Sequence, residues 1–87
     1  MKTLFVHLRF SKRSDPFGVE RLWLLVSNDL FGRVNCKRYR VKEGYVSMVF
    51  SILERRCRRV FIHYLCPEDT VNELIENYSD KREEECR

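Results

Sequence analysis

The sequence predicts a small α/β domain of βαβαβα order, built on a three-stranded, mostly parallel sheet. Three observations predict it. The stretch LFVHLRF at 4–10 alternates like a strand and returns almost unchanged as VFIHYLC at 60–66. Helix start and stop signals bracket the segments that follow the strand-like stretches. A chain of 87 residues, 44% hydrophobic and 34% charged, has the composition of one globular domain with one modest core.

The first strand is read from residues 3–10. Leu4, Val6, Leu8 and Phe10 share one face; Phe5, His7 and Arg9 share the other. A polar loop, SKRSD, follows. The segment DPFGVERLWLLVSNDLFG then reads as a helix over 16–31. Asp15 suits an N-cap and Pro16 the first helical position. Val19, Leu22, Trp23, Val26 and Leu30 fall on one helical stripe, and Gly32 suits the residue after a helix end. LWLLV also fits a buried strand. That keeps a rival order in play, βββαβα with a strand meander over 3–41.

RVNCKRYRV at 33–41 is β-prone and basic, which suits an edge strand. Residues 44–56 read as a helix with Tyr45, Val49, Ile52 and Leu53 inward. Arg55 and Arg56 stand in its last turn, where the helix dipole favours cations. Residues 59–66 form the third strand. Pro67 and the acidic residues after it open the last helix, with Val71, Leu74, Ile75 and Tyr78 as its apolar stripe. Each strand is followed by a helix, which favours right-handed crossovers and parallel neighbours in the order 2-1-3. The domain is expected over 1–80, with 81–87 as a charged tail.

Charge is distributed unevenly. Residues 1–32 carry a net +2, residues 33–59 a net +7 and residues 60–87 a net −5. The basic middle defines a candidate nucleic-acid surface: Arg33, Lys37, Arg38, Arg40 and Lys42 on or beside the third candidate segment, with Tyr39 among them to stack a base. Arg55, Arg56, Arg58 and Arg59 form an arginine-rich corner. Lys12, Arg13 and Ser14 make a candidate anion-binding loop before the first predicted helix. The same charges also guard sheet edges and neutralise helix ends.

The chain's two histidines, His7 and His63, occupy equivalent places in the two similar stretches. On adjacent strands they would lie side by side, because strands are about 4.8 Å apart. A pair of imidazoles with Arg9 beside them can divide acid and base roles in phosphodiester cleavage without a metal. The hydroxyl residues that accompany paired histidines in small phosphoesterases are missing; Arg9 and Leu65 stand there. A packed histidine within a strand is the simpler reading.

Of the four cysteines, Cys36, Cys57, Cys66 and Cys86, none form a CxxC pair, so no metal site and no cofactor is expected. Buried free thiols are expected for the strand cysteines; a disulfide would suit a hyperthermophile host. Alanine and glutamine are absent, a composition that fits a thermophilic or viral source. No apolar run approaches the roughly 20 residues of a membrane span, and the N-terminus does not read as a signal peptide. The expectation is a cytoplasmic, intracellular protein, in the host cell if viral, with no membrane partner.

The function expected is a small non-enzymatic module binding RNA, DNA or another polyanion through the basic edge strand and the arginine-rich corner. One alternative is the metal-independent phosphodiesterase of His7 and His63. Another is a homodimeric adaptor in which the basic edge of one copy meets the acidic last helix of a second.

Overall fold

A computed structural model describes residues 2–12 and 20–85, with backbone alone at 12, 20 and 81–85. The chain runs β1 (Thr3–Lys12), β2 (Glu20–Ser27), β3 (Lys37–Val41), α1 (Val46–Arg56), β4 (Arg58–Val60), β5 (His63–Pro67), α2 (Glu68–Tyr78) and β6 (Ser79–Glu85). The strands form one sheet in the order β4-β5-β1-β2-β3-β6. Every neighbouring pair is antiparallel. This overturns the mostly parallel three-stranded βαβαβα arrangement.

The correction begins at residues 20–27, which form β2 rather than a helix. Leu22, Leu24 and Val26 are buried on one face, while Trp23 and Leu25 alternate to the other. The same apolar residues satisfy a helical stripe and a strand alternation. Pairing with β1 on one side and β3 on the other decides between them. β1, β2 and β3 therefore form an antiparallel meander. The capping signal at Asp15 and Pro16 lies outside the described residues.

A second correction concerns residues 58–67. They form a hairpin, with Val60 opposite His63 and only Phe61 and Ile62 between. The third concerns β3, which is no edge. β6 pairs with it, setting Lys37, Arg38 and Tyr39 opposite Glu85, Glu84 and Glu83. Residues 81–85, read as part of a tail, are thus the greater part of a strand.

The helices match the sequence signals. α1 buries Val49, Ile52 and Leu53 and ends on Arg55 and Arg56. Gly44, at φ 88°, turns the chain just before it. α2 starts after Pro67 with Glu68 and Asp69 in its first turn, where the dipole favours carboxylates, and buries Thr70, Val71 and Leu74. Both helices pack on the face of the sheet that carries Val6, Leu22, Leu24, Val26, Val41, Tyr64 and Cys66. A backbone bond from the Lys42 N–H to the Tyr78 carbonyl, 2.8 Å, ties the end of β3 to the end of α2.

Cys57, just after α1, is bonded to Cys66 on β5, with Cα atoms 4.7 Å apart. Cys36 is disulfide-bonded as well. Buried free thiols are therefore not what these strands contain. Such bridges persist in oxidising compartments and in intracellular proteins of hyperthermophiles. Among the described residues, no helix is long and apolar enough to cross a membrane.

Candidate nucleic-acid interface

Because both α1 and α2 occupy one face, no helix among the described residues covers the opposite face of the sheet. Strand alternation puts Phe5, His7 and Arg9 of β1 on it, with Trp23 and Leu25 of β2. The pairings extend the surface to His63 and Leu65 of β5, Arg38 and Arg40 of β3, and Arg58 and Val60 of β4. One continuous row crosses the sheet: Val60, His63, His7, Leu25, Arg38. A second row holds Arg9, Trp23 and Arg40. Rings and guanidinium groups thus share one half-buried face of the sheet.

Specific contacts fix these side chains. The Arg38 guanidinium lies over the Trp23 ring, 4.7 Å from its centroid. Trp23 Nε1 donates to Ser11 Oγ at 2.7 Å, which orients the indole. His7 and His63 stand directly opposite each other, with ring centroids 4.6 Å apart and planes tilted by 33°. The Nδ1 atom of each is buried, with no hydrogen-bond partner among the described residues. Burial, and next the neighbouring His63, push the His7 pKa below its usual 6.5. Arg9 adds to that depression, while a hydrogen bond with the Ile62 backbone opposes it.

At the end of the histidine row the platform deepens into a cleft of about 620 Å³. His7, His63, Leu25, Phe31, Arg33 and Lys37 line it, and no carboxylate does among the described residues. Its outer wall is the loop between β2 and β3. The Asp29 carboxylate organises that loop, with Oδ1 accepting from the Arg33 N–H at 2.7 Å and the Val34 N–H at 2.8 Å. Those bonds, Val34 first, hold the Asp29 pKa below its usual value against a smaller effect of burial. Gly32 at φ 68° and Asn35 at φ 50° let the loop turn tightly. Phe31 is left 78% exposed, with the Arg33 guanidinium 6.0 Å above its ring.

The residues singled out from the sequence are dispersed by this fold. Arg33, Lys37 and Arg38 gather around the cleft and platform, joined by the exposed Arg9. Tyr39 turns to the other side and packs against the core, so it is no stacking platform. Arg40 is paired with Asp80 at 2.7 Å. Lys42 is exposed just beyond β3. Arg55, Arg56, Arg58 and Arg59 lie at the far edge, around α1 and β4. Of these, Arg56 is paired with Glu73, and Arg59 lies 3.8 Å from Glu54. Lys12 ends β1 with only its backbone described; Arg13 and Ser14 lie outside the described residues.

The histidine pair is adjacent, as the internal likeness suggests, but antiparallel. Its geometry does not suit in-line phosphoryl chemistry. Entering and leaving oxygens lie on opposite sides of phosphorus, whereas these rings lie against each other and leave no room for a phosphate between them. No third His, Cys, Asp or Glu among the described residues completes a metal-binding group. Phe31, Asp29, Trp23 and Leu25 were not among the sequence candidates. The NDLFG stretch carried a signal, since Asn, Asp and Gly together are turn formers. No family model, curated protein or solved structure matches this chain.

Proposed function

We propose that the protein is a non-enzymatic module that binds single-stranded nucleic acid on the open face of its sheet. The observation that carries this is the gathering of rings and guanidinium groups on the sheet face opposite α1 and α2: Arg38 over Trp23, His7 against His63, and the cleft bearing Arg33. Bases stack on such rings, each stacked base contributing about 1–3 kcal/mol. Cations at their margins hold the phosphates. A flat platform favours single strands, whose bases can splay onto it, over duplexes, whose bases are already stacked. The cleft is large enough to receive one nucleotide, with its ring near Phe31 and its phosphate near Arg33.

The reading differs from a basic-strand interface in one physical respect. β3 is covered on its outer side by β6, and Arg40 already has Asp80. Charge alone is therefore a weaker argument for this surface than stacking. The test is fluorescence anisotropy with single- and double-stranded RNA and DNA at two salt concentrations. Tighter binding of single strands is expected, weakening with salt by about 0.7 log units per log unit of salt for each phosphate engaged. Equal affinity for duplex, or no binding, would defeat it.

A further inference from the structure

The turn between β4 and β5 contradicts what a two-residue hairpin normally selects. Such turns use Gly, Asn or Asp where φ is positive. Here Phe61 takes φ 57°. Its side chain is 85% exposed and that of Ile62 is 66% exposed. Folding gains almost nothing from either side chain, and the backbone at Phe61 is strained. Strain kept in place with no structural return points to a role. The turn is held from behind, since Arg59 Nε donates to the Phe61 carbonyl at 3.0 Å. Arg58, at the start of the short strand β4 that leads into the turn, is exposed. The tip continues directly into His63, whose ring touches His7 on the platform.

We propose that Phe61, with Ile62 beside it, is a wedge that stacks on the terminal base pair where a duplex meets the single strand held on the open face. The inference rests on the open face being a single-strand site. Apolar side chains at such tips press against base steps in nucleic-acid complexes. Two residues are too few for the other occupants of an apolar tip. A second copy would need an interface of about 1,600 Å², and the arginines of β4 guard that edge against strand addition. A bilayer surface is usually held by a far larger apolar face.

The test uses the full chain, with wild type compared to Phe61→Asn and Ile62→Asn. Asparagine suits the φ of position 61, so that variant keeps the turn. Three probes are titrated: a single strand, a blunt duplex, and that duplex with the single strand as an overhang. Wild type should bind the overhang probe about tenfold more tightly than the single strand, the worth of one stacked base. Phe61→Asn should abolish that preference and leave single-strand affinity unchanged; Ile62→Asn should reduce it. Equal wild-type affinity for overhang and single strand overturns the wedge and leaves the platform standing. So does a preference that survives Phe61→Asn, or Phe61-dependent binding to anionic vesicles without junction preference. Failure to bind any single strand overturns both.

Discussion

Arg38 on β3 lies over the ring of Trp23 on β2, the guanidinium carbon 4.7 Å from the ring centroid. The two are diagonal neighbours, since Trp23 pairs directly with Arg40 and Leu25 with Arg38. The contact fixes a long cationic side chain flat on the sheet, so that its ordering cost is met before a ligand arrives. Trp23, anchored through Ser11, is also the chain's single tryptophan and an internal reporter.

The first prediction follows from that pair. Adding a single-stranded oligonucleotide should change the Trp23 fluorescence. Trp23→Ala should weaken binding by roughly tenfold, as loss of one stacking platform does. Arg38→Lys keeps the charge but loses the planar stack, and should retain salt sensitivity with reduced affinity. Unaltered affinity in both variants would remove the pair from the interface.

The histidine pair predicts a pH dependence. The folded pKa of His7 lies below its usual 6.5, chiefly through burial and then through His63. The unfolded chain therefore takes up this proton more readily than the folded one. Stability is full above about pH 6.5 and declines as pH falls below it, until the folded ring itself is protonated. Melting temperatures followed from about pH 8 to 5 should fall less in His7→Gln than in wild type. By NMR, His63→Asn should raise the pH at which His7 titrates, because it removes a neighbouring charge. A His7 titration unmoved by that change would contradict the coupling.

The Cys57–Cys66 bridge joins the end of α1 to β5 and so pins the hairpin that carries the proposed wedge. Closing a loop of this length contributes on the order of 2–3 kcal/mol. Cys57→Ser leaves the fully buried Cys66 thiol in place and removes only the bridge. It should lower the melting temperature by roughly 10–20 °C, the shift expected of such a loss in a domain of this size. Calorimetry showing no shift would mean that the hairpin is held by packing alone.

How much of this was legible depends on what each residue had to satisfy. β1 was legible because its alternation admits no helical reading. Both helices were legible because their ends carry dipole-matched charges, Arg55 and Arg56 on one and Glu68 and Asp69 on the other. β2 was not, because LWLLV suits a helical stripe as well as a strand, and only its neighbours decide. The hairpin was read as one strand because Phe61 and Ile62 lack turn chemistry. β6 was illegible for another reason: SDKREEE has little strand propensity, and it becomes a strand by pairing with β3. The adjacency of His7 and His63 could be read from the internal likeness of their two stretches. The cleft could not, because its wall was assigned to the end of a helix.

The most direct measurement is chemical-shift mapping of the full chain with a short single-stranded oligonucleotide. The largest changes are expected at Phe5, His7, Trp23, Leu25, Arg38 and His63, with Phe31 and Arg33 following as the cleft fills. Ser51 and Asn72, on the helices, should stay unmoved. Changes centred on α1 and α2, or none at saturating oligonucleotide, would contradict it.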